Sequence, residues 1–192
     1  MNIKKSFKIY YLLIYEGSTE FNIFRYLTTN KFRELFEKSD IKFSNKVEII
    51  TNDKQEVSQG NLGGAGNIGH FKAKYTLIKD RYAGQKLFFI LDNDLDDSLE
   101  MKDVIEAGGD IIQFVEYNSE YLLLKLSGKN PKKPFEFTNL KEFRIYTENE
   151  FKSQFGKDAP DLKDSDLDII FATASYEDIV ASFDKLFSTL EI

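Results

Sequence analysis

The sequence predicts an α/β protein: a single domain with a mostly parallel central sheet, helices on both faces and a C-terminal helical extension. Three observations lead there. Lys8–Tyr15 (KIYYLLIY) and Leu87–Leu91 are apolar nearly throughout, the pattern of strands buried on both faces. Segments with apolar residues at helical spacing lie between such runs, so strand and helix alternate. The length of 192 residues suits one domain with a sizeable core.

The elements follow in chain order. Lys8–Tyr15 is the first strand, rich in aromatic and branched residues. It ends at Glu16-Gly17-Ser18-Thr19-Glu20, where Gly17 permits a tight turn and Ser18 or Thr19 can cap a helix. Phe21, Phe24 and Leu27, then Phe32, Leu35 and Phe36, mark an amphipathic helix broken near Thr28–Asn30. Val47–Ile50 reads as a short second strand. Residues 51–69 are polar and Gly-rich, a long loop of the functional or disordered kind. Phe71, Tyr75, Ile78 and Tyr82 give a helix stopped at Gly84. The strand at Leu87 follows.

Asp97-Ser98 can cap a helix over Leu99–Ala107, with Gly108-Gly109 as its stop. Asp110–Tyr117 is a fourth strand. Leu122–Leu126 forms a short buried helix with Ser119 as its cap. Beyond the basic, proline-broken loop Gly128–Pro134, Thr147 and Glu150 make a capping box for a helix to about Phe155. Residues 157–168 read as acidic loop, and Tyr176–Leu190 as one helix capped by Ser175. The expected division is 1–127 as the core and 128–192 as an extension packed on the same domain.

Composition removes several classes. With no cysteine there is neither a disulfide framework nor a zinc–thiolate site, and one histidine excludes a His-rich metal site within one chain. The run Ile9–Tyr15 is far too short for a membrane span. Glu16 follows it and no small-residue cleavage site appears, so the expectation is a cytoplasmic protein with no leader and no membrane partner. A net charge of −6 disfavours a general polyanion binder, though local basic segments can still contact nucleic acid.

The chemistry-bearing residues are acids at strand ends. Side chains alternate along a strand, so Asp92 and Asp94 point the same way at the carboxyl end of a central strand, where open α/β sheets bind ligands. Two like charges there raise each other's pKa, and a hard divalent cation relieves them. Glu16 ends the first strand. If the two strands are neighbours, all three carboxylates meet. Glu20 and Glu120 can face the same place, and such a set can hold one or two Mg²⁺ ions for phosphoryl displacement.

Glu16-Gly17-Ser18-Thr19-Glu20 after a strand, with a hydrophobic strand ending Asp92-Asn93-Asp94, resembles a TOPRIM domain, a Rossmann-like fold. Its E-G-x-T-E form is closest to the OLD-nuclease and RloB-like branch. Asn118-Ser119-Glu120-Tyr121-Leu122-Leu123-Leu124 is similar to a third RloB-like segment. The resemblance covers roughly residues 8–127. It implies Mg²⁺- or Mn²⁺-dependent cleavage of RNA, tRNA included, or DNA, by a toxic effector of anti-phage defence controlled by a separately encoded ATPase. By the same resemblance Glu16 is the general acid/base or a metal ligand, Asp92 and Asp94 are ligands, and Glu20 and Glu120 complete a second position. The basic residue of the OLD nucleases has no clear counterpart; Lys125 is the candidate. No P-loop occurs, so an ATPase would have to be a partner. A homodimer is compatible with this reading.

Blander readings stand beside these. Acids at strand ends can be solvated or can cap helices, and Glu20 is equally a first-turn acid favouring a helix dipole. Gly64-Ala65-Gly66-Asn67-Ile68-Gly69 matches G-x-G-x-x-G but lacks the preceding strand of a dinucleotide site, so a loop closing over substrate phosphates is the better reading. His70 is a surface residue at a helix start. Lys129, Lys132 and Lys133 either track a phosphate backbone or form a solvated loop. Two other functions share these residues: a catalytically weak module that docks on an ATPase, and a hydrolase of small phosphorylated molecules.

Overall fold

Four parallel strands form the centre of the protein. A computed structural model describes residues 8–44, 49–50, 56–57, 62, 66–94 and 96–190. Strand β1 is Ile9–Tyr15, β2 Ile41–Ser44, β5 Lys86–Asp92 and β6 Ile111–Val115, in the order β2-β1-β5-β6. A separate antiparallel pair, β3 (Ile49–Ile50) and β4 (Glu56–Val57), lies between β2 and β5 in sequence. Tyr15 pairs with Ile90 and Asp92 with Val115, so β1, β5 and β6 end at one edge. From β1 the chain moves outward to β2, and from β5 it moves the other way to β6. The β1–β5 boundary is therefore a topological switch point, where sheets of this kind open a crevice at their carboxyl ends.

Alternation along the strands separates two cores. Tyr11, Leu13, Tyr15, Phe88, Ile90 and Val115 share one cluster; Ile14, Leu87, Phe89, Leu91 and Ile112 share the other. Helices α3 (Ile68–Arg81) and α4 (Ser98–Ala107) cover the second face through Phe71, Tyr75, Ile78, Met101 and Ile105. The first face takes α1 (Ser18–Tyr26), α2 (Arg33–Lys38) and α5 (Ser119–Leu126). It also takes α6 (Leu140–Phe155), α7 (Asp164–Ala172), α8 (Tyr176–Ser182) and α9 (Asp184–Thr189), through residues such as Phe151, Phe171, Ile179 and Phe187. The C-terminal extension thus shares the core of residues 9–126.

The break expected near Thr28–Asn30 is a π-helical turn, Leu27–Lys31. Thr28 Oγ1 donates to the Phe24 carbonyl at 2.9 Å and Thr29 Oγ1 to that of Arg25 at 2.8 Å. Such back-bonding competes with the helix's own ladder. Gly84 and Gly109, with φ of +79° and +76°, end α3 and α4 where stops were expected.

Several expectations are corrected. The second strand of the sheet is Ile41–Ser44, with Ile9 opposite Ile41. Of Val47–Ile50, Ile49–Ile50 belongs to the side pair, while Val47 and Glu48 lie outside the described residues. Most of the Gly-rich loop, including Gly63, Gly64 and Ala65, also lies outside them. The caps are Gly17 for α1 and Asn118 for α5, rather than Ser18, Thr19 or Ser119. Asn139 begins α6, so Thr147 is a buried mid-helix residue and not a cap. Residues 157–168, expected as loop, hold a 3₁₀ turn at Ala159–Asp161 and the start of α7. Tyr176–Leu190 is two helices that break at Phe183, though Ser175 does cap the first, accepting from Asp178 N–H at 3.0 Å.

Candidate functional site

The acids singled out in the sequence converge at the switch point. Glu16 follows β1 directly, and its amide donates to the Ile90 carbonyl at 3.1 Å, continuing the ladder by one residue. Its carboxylate turns onto β5, where Oε2 accepts the Asp92 amide at 3.1 Å. Two residues 76 positions apart in sequence are thereby in contact.

Glu20 lies in the first turn of α1 and is buried. Its Oε2 accepts the Gly17 amide at 2.6 Å, which closes the β1–α1 turn, and its Oε1 accepts the Ser119 hydroxyl at 2.6 Å. Ser119 also donates to Asp92 Oδ1 at 3.3 Å. The start of α5 is therefore tied to the first turn of α1 and to the end of β5. Gly17 cannot be enlarged freely, because a Cβ there would sit 3.0 Å from Glu20 Oε2. Glu120 follows Ser119 and is half-buried.

Asp94 is buried and gripped from α6. Arg144 Nε donates to Oδ2 at 2.5 Å, and its Nη2 donates to Oδ1 at 3.0 Å and to the Asp94 carbonyl at 2.9 Å. Helix α6 is pinned nearby, since Asn118 Nδ2 donates to Thr147 Oγ1 at 2.9 Å while Asn118 Oδ1 caps α5. On the opposite face Lys74 of α3 is buried, donates to the Leu62 carbonyl and feels the charge of Glu16.

The electrostatics are those of crowded acids in a poorly solvated place. Burial pushes the Asp92 carboxyl well above the usual range, and the charges of Glu20, Glu16, Asp94 and Glu120 push the same way. Burial raises Glu20, against the pull of Ser119 and Gly17. It raises Asp94 too, although the Arg144 guanidinium works against it. Glu120 is pushed up to about 7, by burial first and by Glu20, Glu148 and Asp94 after it. Burial lowers Lys74, and Glu16 opposes that.

The donor set is all carboxylate oxygen, the chemistry a hard divalent cation selects, and the mutual repulsion is what such a cation relieves. In that sense the residues fit Mg²⁺ or Mn²⁺. They are not, however, drawn into a closed ligand set: among the described residues no group of three His, Cys, Asp or Glu is arranged to hold an ion. Each carboxylate oxygen of Glu20 and Asp94 already accepts a hydrogen bond from the partners named above.

The other expected site residues lie elsewhere. Lys125, on the last turn of α5, pairs with Glu116 at 2.6 Å. Lys129, Lys132 and Lys133 are exposed; Lys132 Nζ lies 5.9 Å from the Tyr146 ring centroid, and the Lys133 amide donates to Glu136. His70 is exposed in the first turn of α3. Reading the sequence missed Arg144, Lys74 and the Asn118–Thr147 tie. No local pattern marks Arg144, which acts 50 residues from Asp94. For Lys74 a signal did exist: a lysine midway between Phe71 and Ile78 on the apolar face of a helix.

Fold and site together define a doubly wound α/β protein with an acidic cluster at its switch point. No protein-family model, curated protein or solved structure matches the chain.

Proposed function

We propose that the protein is a Mg²⁺- or Mn²⁺-dependent nuclease of the TOPRIM kind, hydrolysing phosphodiester bonds in RNA or DNA. The observation that carries this reading is the contact of Glu16 with the Asp92 backbone at the switch point, with Glu20, Asp94 and Glu120 crowded around it. Bringing acids this close lowers stability, and such local conflicts concentrate at functional sites.

In this reading Glu16, Asp92, Asp94 and Glu120 hold the cation. When bound, it would stabilise charge on the phosphodiester oxygens and make a water more acidic. Glu16 takes the proton of the attacking water as the new P–O bond forms. As the scissile P–O bond breaks, solvent water gives a proton to the sugar oxygen that leaves. Glu20 is fixed between Gly17 and Ser119 and holds the β1–α1 turn against α5, a positioning role. The wider setting, a defence effector controlled by an ATPase partner and acting in the cytoplasm, rests on the sequence resemblance alone. No helix among the described residues is long and apolar enough to cross a membrane.

The test is incubation of the chain, alone and with an ATPase encoded beside it, with tRNA, mixed RNA and DNA in Mg²⁺ or Mn²⁺. Cleavage lost in Asp92→Ala and Asp94→Ala is expected; equal cleavage by these variants removes the mechanism. A second reading, a non-catalytic module that docks on the ATPase, is favoured by one observation: Arg144 already neutralises Asp94. Co-purification with the ATPase, without cation binding, would select it.

A further inference from the structure

The Arg144 clasp bears on how the site is controlled. Its guanidinium spans both oxygens of Asp94 and the backbone carbonyl of the same residue. A forked contact of that kind is the strongest geometry a cation side chain can offer a carboxylate. It comes from α6, outside the part of the chain that carries the motifs, and α6 is joined to the start of α5 through Asn118 and Thr147. The Arg144 side chain remains 38% exposed while that of Asp94 is 8% exposed, so the arginine can swing to solvent and the acid cannot. The fork takes one lone pair on each oxygen and brings a positive charge to Asp94, so a cation must compete with it for that carboxylate.

We infer that Arg144 is a positioning residue that holds Asp94 in a closed arrangement, and that a divalent cation enters by displacing it. The inference rests on the proposed metal site and adds its regulation. A ligand or partner that drew Arg144 away, a nucleic-acid phosphate above all, would open the site as substrate arrives.

Calorimetric titration of Mn²⁺ into the full chain tests this. The wild type binds, and Arg144→Gln binds about fivefold tighter, since the ion pair no longer competes. Arg144→Lys, which keeps the charge but loses the fork, falls between them. Adding Asp94→Asn to Arg144→Gln abolishes the gain, which a merely structural role for Arg144 would not produce. Equal or weaker binding by Arg144→Gln overturns the inference while wild-type binding leaves the proposed site standing. No binding by either protein overturns both. If Arg144→Gln does not fold, Arg144→Lys decides: tighter binding than wild type supports the clasp, equal or weaker binding refutes it.

Discussion

Asp92 sits in a conflict of like charges. Four other acids act on it and each disfavours its charge. Replacing it with asparagine keeps the shape and an acceptor for Ser119 while removing the repulsion. Asp92→Asn should therefore raise stability by about 1–2 kcal/mol in cation-free buffer, measured by chemical denaturation, and abolish cleavage. A variant both less stable and fully active would contradict the role given to this residue. Glu120 adds a pH dependence. Its ordinary pKa of 4.5 is raised to about 7 in the folded chain. The folded state binds more protons between those values, so stability falls as pH rises through that window. Asp92, Glu20 and Asp94 are raised as well and act in the same direction. Melting without cations should be higher at pH 5 than at pH 8, by at least about 3 °C, and Mg²⁺ at pH 8 should recover part of the difference. A flat profile would argue against the crowding.

Among the elements, α3, α4 and β6 meet in a closely fitted joint. Tyr75 Oη donates to Asp110 Oδ2 at 2.8 Å, and Asp110 Oδ1 accepts the Leu87 amide at 3.1 Å. A Cβ on Gly108 would fall 1.7 Å from the Tyr75 oxygen. Gly108→Ala should displace Tyr75 from its buried partner and cost about 2 kcal/mol, measured by urea unfolding. The sequence revealed this glycine as a helix stop but not as a point of close approach. The same contrast runs through the fold. Strands β1 and β5 were legible because both faces are buried and their residues are apolar throughout. Strand β2 was not, because Lys42 and Ser44 interrupt its pattern and its residues are only half-buried at the sheet edge. Helix α6 was half-read: Thr147 and Glu150 imitate a cap, and only tertiary packing shows Thr147 to be buried against Asn118. Glu16, Asp92 and Asp94 announce themselves by following apolar strands, whereas Arg144 reaches Asp94 only through the packing of a distant helix.

At the scale of the whole molecule, the C-terminal third is part of the core. Phe151, Leu167, Phe171, Ile179 and Phe187 lie in the cluster that also holds Leu13, Phe24 and Phe88. Ending the chain after Ser127 would expose to water the part of that face's core that α6–α9 cover. Residues 1–127 alone should lack a cooperative unfolding transition, checked by calorimetry; a two-state transition for that fragment would show the extension to be dispensable. The central claim is that one cation brings together acids from β1, β5 and α5. A crystal of the protein soaked in Mn²⁺ tests it most directly by anomalous scattering. The account predicts a peak within coordination distance of carboxylate oxygens of Glu16 and Asp92, with Asp94 released from Arg144. Saturating Mn²⁺ with no peak at the β1–β5 boundary, and Arg144 still seated on Asp94, would contradict it.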